Sequence, residues 1–403
     1  MSHTCRSAGW LLDASTIFLN HGSFGSCPQP VMDAQDELRR RIERDPVQFF
    51  NEELAPGLEA SREAISALVG ADGDDLVFVR NATSGVAAVL ASLRLQPGDE
   101  LLRTDHGYNA CNNILDRAAE ACGARVVVAS VPFPLQSADR VLEAVLQAAS
   151  SRTRLALLDH ITSPTGLLLP IADLVSALQA RGIDVLVDGA HGPGMVPIDL
   201  NRLGAAYYTG NLHKWCCAAR GSAFLHVRRD RQQGLHPAVT SHGKNIPRTD
   251  RSRFLLEFDW QGSDDYTAML TVPRALQFMS QLVPGGLQQL MVENRAKVLA
   301  ARRRLASALN VPLPCPDEMI GALASVPLPP RSPREPQPQR PVPAHIDPLQ
   351  ALLYEGHRIQ VPVMPWPAPP HRLIRVSAQH YNDASDYEVL SQALQAALHL
   401  DGK

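Results

Sequence analysis

Short apolar runs alternate with stretches of helical periodicity along most of this chain. Residues 76–79, 101–102, 125–131, 154–158, 184–187, 205–209 and 224–227 read as strands. Helical patterns separate them at 86–93, 109–121, 139–149 and 171–180. Strands that alternate with helices of about ten residues predict βαβ units and a mostly parallel sheet. Upstream lie a strand and loop (16–30), a helix opening at Pro30 and a helix ending at Gly70. After residue 227 the rhythm changes. Residues 240–263 are polar and read as irregular, and long helical patterns follow at 273–279 and 287–309. Residues 326–347 are too rich in proline for a helix or an inner strand. Apolar pattern returns at 349–353 and 358–363, then a strand at 373–376 and a closing helix at 385–398.

The expected fold is α/β: a large domain with a mostly parallel central sheet flanked by helices, plus a smaller C-terminal α/β domain. The expected boundaries are 1–50 for an N-terminal arm and helix packing on the small domain, 51–270 for the large domain and 271–403 for the small one. The proline-rich segment is a loop within the last.

Composition narrows the function classes. A net charge of −3 is too near neutral to mark a nucleic-acid or polybasic membrane surface. The arginine clusters at 39–41 and 302–304 sit in helical patterns and read as solvated faces. Cysteines at 5, 27, 111, 122, 216, 217 and 315 are scattered without zinc spacing. They read as reduced thiols, with no metal site. The first fifteen residues lack the apolar core of a signal peptide, and no apolar run approaches the roughly 20 residues of a membrane span. A cytoplasmic protein is expected.

Several strands end in titratable residues, which gathers chemistry at the carboxyl edge of a sheet. Strand 184–187 ends in Asp188, with His191 in the following loop; strand 205–209 leads to His213 and Lys214. Pyridoxal 5′-phosphate needs such a pair: an amine for its aldehyde and an acid to keep its ring nitrogen protonated. Strand 76–79 runs through Arg80-Asn81-Ala82-Thr83-Ser84-Gly85 into a helix, an anion cradle with hydroxyls from Thr83 and Ser84. It is neither a Walker loop nor a GxGxxG turn. His106 and Tyr108 are ring-stacking candidates, Thr162 and Ser163 offer hydroxyls, and Arg375 suits a carboxylate.

In this order the residues resemble the class V aminotransferase family of fold-type I pyridoxal-phosphate enzymes, in particular its isopenicillin N epimerase-like branch. The motifs are FLNHGSFG (18–25), RNATSG (80–85), DHITSPTG (159–166), VDGAHGPG (187–194), GNLHKW (210–215), GSDD (262–265) and IRVSAQHYN (374–382). The resemblance implies Lys214 as the Schiff-base lysine and proton shuttle, and Asp188 at the pyridine nitrogen. His191 and Ser163 would lie near the phenolic oxygen. Thr83, Ser84 and His213 would bind phosphate, and Ser263 would reach a neighbouring subunit's phosphate. Arg375 would take the substrate carboxylate, and Asn20 and His21 would line the entrance. A homodimer with interface sites is implied, acting on an amino acid. Family cysteine desulfurases carry a nucleophilic cysteine shortly before the last strands. The corresponding stretch here has none, and Cys315 reads as a buried thiol, so persulfide chemistry is not expected. Epimerisation, C–S or other β-elimination, and transamination stay open, as does a non-catalytic binding module. The candidates for a second acid/base are His21, His106 and Tyr108.

Overall fold

Uninterrupted apolar runs become inner strands because helices cover both of their faces. The computed structural model describes residues 9–331 and 335–398. Its strands are β1 (Ile17–Phe18), β2 (Leu76–Val79), β3 (Glu100–Thr104), β4 (Arg125–Ala129), β5 (Thr153–Asp159), β6 (Asp184–Asp188), β7 (Tyr207–Asn211), β8 (Ala223–Val227), β9 (Leu323–Leu328), β10 (Ile359–Gln360), β11 (Val363–Pro365) and β12 (Arg372–Ser377). A seven-stranded sheet has the order β2-β8-β7-β6-β5-β3-β4. Strands β3 to β7 pair in parallel, and β8 joins both β7 and β2 antiparallel. The fold is therefore α/β with a mostly parallel central sheet, as the strand–helix rhythm predicts.

Alternation along the strands decides which side chains share a face. Ala156, Leu158, Val185 and Val187 join one core, and Leu155, Leu157 and Leu186 the other. Asp159 continues the Leu155–Leu157 face and Asp188 continues the Leu186 face. These two aspartates are register partners in β5 and β6, so their carboxyls leave the sheet side by side. Beside them the chain order reverses, since β3 lies between β4 and β5. In open α/β sheets such a switch point opens a crevice at the carboxyl ends of the strands.

A second, antiparallel sheet has the order β11-β12-β9, and the helices Gly286–Leu309 and Ala384–Ala397 pack beside it. Near the N-terminus β1 pairs in parallel with β10. Trp10 meets Phe278 and Tyr381 edge-on, at 5.2 and 5.4 Å between ring centroids.

Residues 240–263 are not irregular throughout. They contain the helix Arg253–Asp259, capped by Ser252, whose side chain accepts the Leu255 N–H, with Phe254, Leu255, Leu256 and Phe258 buried. The polar stretch before this short apolar block masks it in the sequence. Cys5 and residues 332–334 of the proline-rich segment lie outside the described residues. Among the described residues no helix is long and apolar enough to cross a membrane.

Candidate active site

A cavity of about 230 Å3 opens at the carboxyl ends of β3, β5, β6 and β7. Of the residues singled out in the sequence, Thr83, Tyr108, Ser163, Asp188, His191, His213 and Lys214 line it. Strand order sets their placement. Lys214 follows β7 and Tyr108 follows β3, with Asp188 on β6 and Asp159 on β5 between them.

Lys214 projects from a tightly tied turn. Leu212 N–H and His213 N–H both donate to Ser222 O, and Cys217 N–H donates to Lys214 O at 3.1 Å. Gly194, with φ of +81°, lets the loop after β6 touch this turn. A Cβ there would lie 2.6 Å from the Trp215 carbonyl carbon. Burial lowers the Lys214 pKa to about 8, against a partial rise from Asp188. Its Nζ lies 3.1 Å from His191 Nε2, and His191 Nδ1 accepts the Trp215 indole N–H at 3.3 Å. Burial, then the positive charges of Lys214 and Arg375, hold the His191 ring neutral, well below the usual histidine range. Burial likewise brings His213 down to about 4, with Nδ1 2.8 Å from Ser222 O.

Asp188 is buried and fixed at both oxygens. Oδ1 accepts the Ala190 N–H at 3.0 Å, and Oδ2 accepts the Cys111 thiol at 3.2 Å. Burial, with Asp188 beside it, keeps that thiol protonated. Asp159 also lines the cavity, and burial followed by the Asp188 charge raises its pKa well above the carboxylate range. Across the cavity the helix Ala82–Ser92 begins at its N-cap Asn81, whose Oδ1 accepts the Ser84 N–H at 2.8 Å. Asn211 Oδ1 takes the Ala82 N–H at 2.8 Å, tying this helix end to β7.

Arg375 on β12 is buried behind the cavity wall. Its guanidinium donates to Ser163 O and Oγ and, at 2.6 Å, to Ser23 Oγ. Among the described residues its Nε has no hydrogen-bond partner. Burial lowers its pKa to about 10. A buried cation held by neutral oxygens is ready to take an anion.

Four expectations need correction, those for His106, His21, Asn20 and Ser84. His106 lies outside the cavity. Its Nε2–H donates to Val131 O at 3.0 Å, Thr165 Oγ pairs with Nδ1 at 2.7 Å, and the ring packs on Trp366. The loop after β3 turns it into the core, and Tyr108, two residues on and 44% exposed, faces the cavity instead. His21 does not line the entrance. It is fully buried, with Nδ1 2.7 Å from Tyr381 Oη and Nε2 3.0 Å from Lys214 O, and so braces the lysine backbone. Asn20 precedes the short helix His21–Phe24 and is not among the lining residues; Ser23 from the same segment is. Ser84 does not line the cavity, because its Oγ donates to Asn81 Oδ1 at 3.0 Å. Ser263 is exposed on a bend outside the cavity of its own chain. Cys315 is buried beside Arg302, the setting expected from its apolar neighbours.

The sequence reading missed Asp159, Cys111, Ser23, Asn81 and Asn211. Asp159 could have been found, since it ends an apolar strand in the same way as Asp188. Among the described residues no group of three or more His, Cys, Asp or Glu could hold a metal ion. The donor set suits pyridoxal phosphate: one amine of lowered basicity, one doubly anchored carboxylate, a helix N-terminus with a hydroxyl, and an aromatic ring share one cavity.

Comparison with known proteins gives the same direction. The sequence pattern of a family described as Aminotransferase class-V matches residues 17–390. Isopenicillin N epimerase of Amycolatopsis lactamdurans is 34% identical over 400 residues, covering 95% of this chain and 96% of its own. An L-cysteine desulfhydrase of Arabidopsis thaliana is 32% identical, covering 77% and 70%. The cysteine desulfurase CsdA of Escherichia coli superposes with a TM-score of 0.76 at 21% identity, covering 99% of both chains. At that identity the likeness concerns the fold.

Proposed function

The chain belongs to the class V aminotransferase family, and from that premise we propose that it epimerises an amino acid at its α-carbon. As a member of this family it is an enzyme that depends on pyridoxal 5′-phosphate. Lys214 Nζ would hold the cofactor's aldehyde carbon, Asp188 would meet the ring nitrogen, and Tyr108 would cover a ring face. His191 and Ser163 would serve the phenolic oxygen, and Thr83 and His213 the phosphate. When bound, the cofactor supplies a cationic ring that stabilises negative charge developing at the substrate α-carbon.

The rest is the work of the chain's own groups. Arg375 would orient the substrate carboxylate by giving up its contacts with Ser163 and Ser23 for it. Lys214 Nζ, with a pKa brought to about 8, takes the α-proton near neutral pH. Inversion needs a second proton carrier on the far side. One observation carries this reading: Lys214 and Tyr108 flank the cavity from β7 and β3, with two strands between them. The Tyr108 hydroxyl is then the group that returns a proton opposite the lysine. The Amycolatopsis lactamdurans relative supports epimerisation along nearly its whole length.

A second reading is a C–S lyase acting on a sulfur-containing amino acid, supported by the desulfhydrase relative. Incubation with amino acids in heavy water separates the two. An epimerase returns α-deuterated, inverted amino acid with its amine intact, whereas a lyase releases a keto acid and ammonia. Turnover that strictly requires an added keto acid would overturn both readings in favour of an aminotransferase. We also read the chain as a cytoplasmic homodimer in which Ser263 serves the neighbouring subunit's phosphate. Its exposure outside its own cavity supports this, and sedimentation of the full chain tests it.

A further inference from the structure

We propose that Trp215 fixes the tautomer of His191, so that His191 turns an N–H, not a lone pair, toward Lys214. Trp215 is a positioning residue here and reaches the lysine only through the histidine. An indole nitrogen can donate a hydrogen bond but cannot accept one. Trp215 Nε1 lies 3.3 Å from His191 Nδ1, and both side chains are buried. A proton on Nδ1 would set two N–H groups against each other in the interior, an arrangement whose cost is the full desolvation of both. The neutral ring must therefore carry its proton on Nε2. The ring stays neutral because it is buried, and the Arg375 cation acts in the same direction.

The consequence falls on the lysine. Nε2 is 3.1 Å from Lys214 Nζ, and an N–H at that distance needs a lone pair to meet. Only the neutral amine has one. The Trp215–His191 pair thus opposes the ammonium form and favours the free amine that reacts with an aldehyde. The Asp188 carboxylate acts on Lys214 in the other direction, and Arg375 acts with the histidine. When an oxygen replaces the amine near Nε2, the same N–H donates to it. That last step rests on the proposed cofactor reading; the tautomer is a property of the chain alone.

Nitrogen NMR of full-length enzyme with labelled histidine, recorded with and without pyridoxal phosphate, reads the tautomer directly, and His191→Gln assigns the signal. The expected result is Nε2 protonated and Nδ1 bare throughout the pH range of stable fold. A proton on Nδ1, or a ring that titrates near the ordinary histidine pKa, would overturn the proposal. In Trp215→Phe the histidine is free to accept from an ammonium, so the proton affinity of Lys214 rises by about tenfold. The pH dependence of Lys214 acetylation in the cofactor-free chain, followed by mass spectrometry, measures this. An unchanged lysine in a folded variant also refutes the idea, and the wild-type NMR decides if the variant does not fold. A chain that takes up no pyridoxal phosphate would sink the proposed function and leave the tautomer standing.

Discussion

Replacing Asp159 by asparagine tests the carboxyl pair at the ends of β5 and β6. Burial and the neighbouring Asp188 charge raise the pKa of Asp159 in the folded chain well above its value in the unfolded one, about 3.9. Lys214 and a backbone hydrogen bond with Tyr108 oppose the rise without cancelling it. The folded chain then binds a proton that the unfolded chain has released. Stability from this group is fully present below about pH 4 and is lost as pH rises toward the folded pKa. The loss runs at about 1.4 kcal/mol per pH unit in that window. Asparagine has no proton to lose and nearly the same shape, so the variant lacks the slope. Unfolding entropy of about 2.1 cal/mol/K per residue over 403 residues makes 1 kcal/mol worth about 1.2 °C. The Tm of Asp159→Asn should therefore gain on the wild type by about 1.6 °C for each pH unit between about pH 4 and the folded pKa of Asp159. Calorimetry of the two cofactor-free chains between pH 4.5 and 6.5 measures the difference, in which titrating groups remote from Asp159 cancel. Parallel Tm curves would mean that Asp159 is already ionised in the fold, and the argument for a raised pKa would fall.

Other variants separate roles that the geometry keeps apart. Lys214→Ala should abolish the visible absorbance of the enzyme with pyridoxal phosphate, and an unchanged spectrum would remove Lys214 from its assigned place. Tyr108→Phe should slow inversion by about 10²-fold or more. Exchange of the α-hydrogen with heavy water should persist for the substrate hand that Lys214 deprotonates, and loss of both would deny Tyr108 the separate role. His106→Asn should cost about 1–3 kcal/mol of stability through its two buried hydrogen bonds, with kcat retained. A large fall in kcat at unchanged Tm would return His106 to the site. Arg375→Lys should raise KM for the amino acid by about tenfold or more, because an ammonium cannot reproduce the planar fork.

Where chemistry gathers was legible in the sequence, because strand ends can be read from apolar runs. Asp188, Tyr108 and Lys214 each follow such a run, and parallel pairing brings those ends to one edge. Direction within a loop was not legible. His106 and Tyr108 are two residues apart, and no periodicity tells which one turns inward. His21 presents the same difficulty: its polar ring reads as a surface group, yet Tyr381 and the Lys214 carbonyl satisfy it inside. Pairing of Asp159 with Asp188 depends on register, which apolar patterning alone does not specify when both strands are buried on both faces.

The contacts of Arg375 also bear on the life of the chain before it is finished. One guanidinium joins Ser163 and Ser23, positions 212 and 352 residues away along the sequence. Contacts this remote form late, because long loops must close first. A ribosome that has made everything up to β11 has released the whole seven-stranded sheet, with Lys214 and Asp188 on it, but not β12. The growing polypeptide would thus have the amine and the acid before the arginine proposed to hold a substrate, and on that proposal catalysis would begin only when synthesis is nearly complete.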